Sequence, residues 1–262
     1  MKKTLLIIDP QNDFCEVNEE KRPSGIKSSL SVPGSKKDMD NIIKFIKENE
    51  LDEIIVTLDT HNIIDIAHPS WWLDKDGNHV SPFTLISSKD IEDGNFTTSD
   101  PNEFNYSLQY VKKLEEQGKY QMIVWPEHCI QGSWGHNVYA DLQEELEKWM
   151  KSNNKNVIYF YKGQNIRTEH YSALKAEVVL DDETNLNNKL MNLLLDSNKL
   201  FVCGEALSHC VASTVRDLLD NSPVEFHKKI TLLKDCSSSV GGFESYGENF
   251  ISEIKTKGVT VF

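Results

Sequence analysis

Five residues of reactive type stand at or just past the ends of short apolar runs: Asp9, Asp59, His61, Lys162 and Cys210. Cysteine, carboxylate and ammonium together suit acyl transfer. A thiolate attacks a carbonyl carbon and gives a thioester. Asp9 can take the thiol proton and pass it to a leaving amine. The Lys162 charge keeps Asp9 ionised and favours the thiolate. Backbone N–H groups around Ala206 and Cys210 are placed to bind the developing oxyanion.

A second set suits a metal. In Asp59-Thr60-His61 the two outer residues can reach one ion from an extended segment, and a third ligand from elsewhere completes a facial set. His128, in Trp125-Pro126-Glu127-His128-Cys129, supplies it, and His68 is a candidate fourth. His136, His170 and His209 read as structural or surface residues. His209 adjoins Cys210, but neighbouring helical residues point in different directions, so it is not the base.

These residues need elements to position them. Leu200 to Cys203 has the composition of a buried parallel strand, and Gly204 permits a sharp turn. Beyond it Val211, Val215, Leu218 and Leu219 recur at helical spacing. The pattern predicts strand, tight turn and helix, with Cys210 in the first helical turn, where the positive end of the helix favours thiolate. Further strands are expected at Thr4–Ile8, Glu53–Leu58, Met122–Val124, Val157–Tyr161, Ile230–Leu233 and Val259–Phe262. Helices are expected at Asp38–Glu50, Ser107–Gln117, Val138–Met150, Leu186–Leu195 and Glu244–Lys255. Strands alternating with amphipathic helices imply an α/β fold, three layers α/β/α around a mostly parallel sheet of about six strands. Ligands bind outside the carboxyl ends of such strands, where the reactive residues converge. No linker or repeat divides the chain, so one domain over 1–262 is expected. Residues 62–106 lack periodicity and suggest a long functional loop, a lid or an interface.

The net charge of −13 gives no basic excess for nucleic-acid phosphates. The five cysteines are odd in number and scattered, with no CxxC pair. The apolar run near Met1 is too short for a signal peptide or a membrane span. A reducing cytoplasm is the expected location, and no membrane partner is expected. No GxGxxG or phosphate loop is present, which argues against a dinucleotide or nucleotide site.

The motifs resemble those of the isochorismatase-like cysteine hydrolases, and within them the nicotinamidases. Asp9-Pro-Gln-Asn-Asp-Phe14 is similar to the family's opening motif, whose first Asp is the catalytic acid/base. Tyr161-Lys162-Gly163 with Tyr171-Ser172-Ala173 resembles the segment of the catalytic lysine, and Gly204-Glu-Ala-Leu-Ser-His-Cys210-Val the nucleophile loop. The resemblance implies a cis peptide at Glu205–Ala206. It implies a divalent metal on Asp59, His61 and His128, usually zinc with iron or manganese as alternatives, holding the pyridine nitrogen of the substrate. It implies that Phe14, Trp125 and Tyr171 bind a flat ring.

The sequence departs from the nicotinamidase pattern at Thr60 and Asn62, at Ser208-His209, and at about 71–120, which is longer than in compact members and implies an extended loop insertion. The expected activity is a metal-dependent cysteine amidohydrolase, nicotinamide to nicotinate plus ammonia. The alternatives are hydrolysis of an isochorismate-like, carbamoyl or ureido compound, or a non-catalytic relative. The expected partner is a small-molecule amide, with a homo-oligomer left open.

Overall fold

Six apolar runs pair edge to edge into one sheet, and every pairing within it is parallel. In chain order they are β1 (Lys3–Ile8), β2 (Glu53–Asp59), β3 (Ile158–Lys162), β4 (Lys199–Gly204), β5 (Ile230–Leu232) and β6 (Thr260–Val261). The computed structural model describes residues 1–262. Across the sheet the order is β6-β5-β4-β1-β2-β3. The chain thus builds outward from β1 in one direction, returns to β4, and builds outward in the other. That reversal leaves a crevice beyond the carboxyl ends of β1 and β4.

Alternation along the strands feeds two separate cores. Leu5 and Ile7 of β1, Ile54 and Val56 of β2 and Phe201 and Cys203 of β4 face one way. They pack against Met39, Ile42 and Ile46 of α1 (Ser35–Glu48) and Leu142, Leu146 and Trp149 of the helix Ala140–Asn153. Leu6, Ile8, Ile55, Phe160, Leu200 and Val202 face the other way. They meet Leu190 and Leu194 of the helix Asn188–Leu195, Val215 and Leu218 of Ala212–Asp220, and Phe250 and Ile254 of Glu244–Thr256. Both faces are covered, so the strands are apolar throughout rather than alternating with polar residues. No helix is long and apolar enough to cross a membrane.

Three expectations change here. Met122–Ile123 is a strand, but it pairs antiparallel with Leu85–Ile86, outside the main sheet. Residues 71–120 are not an extended loop: they contain Trp72–Asp74 paired with Phe96–Thr98, the helix Ser88–Glu92 and the helix Phe104–Gln117. A third apolar cluster, with Trp71, Trp72, Ile91, Tyr110, Val111 and Leu114, holds the segment together. Short strands and a five-residue helix leave too few turns for a periodic signal to register. Finally, Lys162 is the last residue of β3 rather than the first beyond it.

Candidate active site

The carboxyl ends of β1, β2, β3 and β4 bring Asp9, Asp59, Lys162 and Cys210 into one buried group. Lys162 Nζ lies 3.0 Å from Asp9 Oδ2 and 2.9 Å from Asp59 Oδ1. It also donates to the His170 carbonyl at 2.7 Å and lies 3.6 Å from Cys210 Sγ. The ammonium is therefore matched by acceptors on every side. Asp9 takes a left-handed φ of 46° just past β1. Strict alternation would send its side chain to the face opposite Ile8; the left-handed turn brings it back to the face of Thr57, whose hydroxyl donates to Asp9 Oδ1 at 2.6 Å.

Cys210 sits one step earlier than expected. A π-helical turn, Leu207–Val211, precedes the α-helix Ala212–Asp220. The N–H groups of His209 and Val211 both bond to the Ala206 carbonyl. The Ala206 N–H bonds to no backbone acceptor, and Ala206 and Cys210 both line the cavity. The peptide Glu205–Ala206 is cis.

Beside this group stand three buried histidines. The nitrogens of His61, His68 and His128 lie within 4.8 Å of one another. Each Nδ1 faces an oxygen: Asp65 Oδ2 at 3.1 Å for His61, the Asn62 carbonyl at 3.0 Å for His68 and the Pro126 carbonyl at 2.8 Å for His128. Such acceptors hold the proton on Nδ1 and leave the Nε2 lone pair free, the tautomer a metal needs. Asp59 Oδ2 lies beside two of them, 3.1 Å from His61 Nε2 and 3.5 Å from His128 Nε2. One carboxylate and three imidazoles of one tautomer fit a divalent ion, and His68 stands in the cluster on equal terms with His61 and His128. Gly163 allows the close approach: a Cβ there would lie 2.7 Å from Asp59 Oδ1.

Solved structures carry the same architecture. A yeast nicotinamidase superposes with a TM-score of 0.62 at 20% identity, over 99% of this chain and 98% of that one. An Acinetobacter baumannii nicotinamidase/pyrazinamidase gives 0.62 at 19%, over 100% and 95%. A Pyrococcus horikoshii pyrazinamidase in complex with zinc gives 0.56 at 19%, over 100% and 99%. This is the isochorismatase-like hydrolase fold. No family model matches the sequence, and no curated protein matches it either. Likeness at this identity is carried by the backbone alone.

Within that fold, a narrow cavity opens beside Cys210, walled by Phe14, Trp125 and Tyr171 among others. Trp125 Nε1 donates to the Tyr171 hydroxyl at 2.9 Å, which fixes both rings. Burial is the dominant influence on the titrating groups. It pushes the Cys210 thiol well above its ordinary value, with Asp9 and Asp59 adding to the rise and Lys162 opposing it. The sulfur therefore rests as a thiol, contrary to the thiolate expected from the helix end; two buried carboxylates and the lost hydration outweigh one ammonium. Burial likewise raises Asp9, against the pull of Lys162. His68 is lowered to about 2 by burial and by its two histidine neighbours, and so stays neutral.

Sequence reasoning missed two wall residues. His209, expected at the surface or in a structural role, is buried, lowered to about 3 by burial, and lines the cavity. It is packed among the rings of Tyr120, Trp125, Tyr171, Phe243 and Tyr246. Glu169, the other, lies seven residues past Lys162 in an irregular segment that carries no pattern. His170 contributes only through its backbone carbonyl at the lysine.

Proposed function

We propose that the protein is a metal-assisted cysteine amidohydrolase that releases ammonia from nicotinamide or a close aromatic carboxamide. One observation carries the reading: a single buried ammonium, Lys162, touches Asp9, Asp59 and Cys210 at once. It ties a nucleophile and a base to a set of metal-capable side chains. The nicotinamidases and pyrazinamidases of the same fold support it.

In this mechanism Asp9 takes the Cys210 proton as sulfur adds to the amide carbonyl carbon. The raised pKa of Asp9 suits a group that must both accept and return a proton. The N–H groups of Ala206 and Cys210 receive the negative oxygen. The carbon–nitrogen bond then breaks, nitrogen takes the proton from Asp9, and ammonia leaves behind a thioester. Water adds to the thioester with Asp9 as base, the carbon–sulfur bond breaks, and sulfur recovers the proton. The sum is amide plus water to acid plus ammonia. Asp59, His61, His68 and His128 would hold the divalent ion, for which zinc is our choice, and the ion supplies a Lewis acid for a ring nitrogen. Phe14 and Trp125 wall the ring, and Lys162 draws the Asp9 carboxyl back toward ionisation between proton transfers.

Ammonia release from nicotinamide and pyrazinamide, with and without chelator, tests the reading. Turnover lost on chelation and restored by zinc is expected. A metal-loaded protein that releases no ammonia from any aromatic carboxamide would refute it.

A further inference from the structure

Each carboxylate at this site has both oxygens engaged, with one exception. Asp9 has Thr57 and Lys162, Asp59 has Lys162 on one oxygen and turns the other to the metal-capable histidine nitrogens, and Asp65 has His61 and the Ala67 N–H. Glu169 is different. Its Oε1 accepts from the His170 N–H at 2.9 Å and lies 3.9 Å from His61 Nε2. Its Oε2 has no hydrogen-bond partner, although the residue is only 6% exposed and lines the cavity with Cys210.

A carboxylate oxygen that lines a largely apolar cavity gains from a donor there. Phe14, Leu30, Trp125, Ala206 and Val240 are apolar, and none of Tyr171 (whose hydroxyl accepts from Trp125), His209 and Cys210 hydrogen-bonds to it. Asp59 and His128 are committed to Lys162 and to the histidine cluster. A donor on a ligand in the cavity would meet that oxygen. We propose that Glu169 is a specificity-determining residue that selects aromatic carboxamides carrying a hydrogen-bond donor, such as an amino group, on the ring. This rests on the reading of the cavity as an amide site. A site built to bond a donor discriminates strongly against an analogue lacking it, because the protein group is then left unpaired. An amino group and a methyl group are close in size, so the comparison isolates the hydrogen bond.

The test uses zinc-loaded full-length protein and nicotinamides substituted with amino or methyl at each free ring carbon. At one position the amino compound should exceed its methyl counterpart about 10-fold or more in kcat/KM, the range for a hydrogen bond to a charged group. Glu169→Leu should bring that ratio to within about 3-fold, and Glu169→Gln, which keeps an acceptor, should retain part of it. Binding of the same compounds to zinc-loaded Cys210→Ala, measured by calorimetry, gives the ratio without turnover. A preserved binding ratio with no ammonia release would sink the amidase reading and leave the role of Glu169 standing. Equal amino and methyl ratios at every position would overturn the proposal. So would a Glu169→Leu protein that loses zinc and keeps the ratio, because Glu169 would then serve the metal rather than the ring.

Discussion

Replacing Lys162 by Met tests the whole arrangement at one atom. The substitution keeps the length of the side chain and removes its charge. Lys162 is 5% exposed, Asp9 0% and Asp59 3%, so both carboxylates lose their cation without gaining water. Breaking a buried pair by removing one partner costs about 3–5 kcal/mol. At this chain length that corresponds to a fall in Tm of roughly 6–20 °C. The sign with pH follows from the carboxylates. Without the ammonium the already raised Asp9 carboxyl rises further and Asp59 loses part of what holds it low, so the deficit is largest near pH 7. It shrinks as pH falls toward about 4, where both carboxylates protonate in either state. Zinc should recover part of the loss, since an ion on Asp59 restores positive charge beside both groups. The assay is urea denaturation of metal-free and zinc-loaded protein at several pH values. Adding Asp9→Asn to Lys162→Met should cost less than the sum of the single changes, by about 1–3 kcal/mol, because the two side chains are in contact. A Lys162→Met protein within 1 kcal/mol of the parent at pH 7, or additive behaviour in the cycle, would refute the reasoning.

Cys210→Ala and Asp9→Asn should each abolish ammonia release while circular dichroism stays unchanged; turnover surviving in either would end the proposed chemistry. Asp65→Ala removes the acceptor that fixes the His61 proton, and zinc affinity by chelator competition should fall about 10- to 100-fold. Burial pushes the Glu177 carboxyl up to about 7 from 4.5, with neither oxygen hydrogen-bonded. The associated stability is fully present below about pH 4.5 and declines as pH rises toward 7. Glu177→Gln should abolish that decline, worth about 3 kcal/mol, and a parent stability that is flat from pH 4.5 to 7 would count against it.

The strands that carry chemistry were legible because each is a short apolar run with a reactive residue at its end. Thr4–Ile8 falls one residue short of the observed strand at its start, and Leu200–Cys203 one residue short at each end. Hydrophobic runs report burial on both faces of a parallel sheet directly. His68 was less legible, because nothing in a His-Pro dipeptide shows that the intervening loop folds back to set it beside His128. Glu169 and His209 were illegible for a related reason. Both are buried polar residues whose environment is assembled from distant segments: Phe14, Trp125 and Val240 reach the same cavity from three parts of the chain. The left-handed conformation of Asp9 was also hidden, since Asp before Pro reads as a turn whatever its φ.

Register explains why these side chains meet. Asp59 and Lys162 are direct partners across β2 and β3, and Ile8 and Gly204 across β1 and β4. In a parallel pair, partners project from the same face, so the ion pair between Asp59 and Lys162 is fixed by the ladder itself. Thr57, two residues before Asp59, shares that face and reaches Asp9. A slip of one residue in β3 would turn Lys162 into the opposite core and leave both carboxylates unmatched. Gly204 closes the other side. It has a φ of +116°, and a Cβ there would collide with the Ile8 backbone. The absent side chain lets β4 bend away beside Asp9 and carry the turn that holds Cys210. The site therefore depends less on loop conformation than on four strand ends held level by hydrogen bonds.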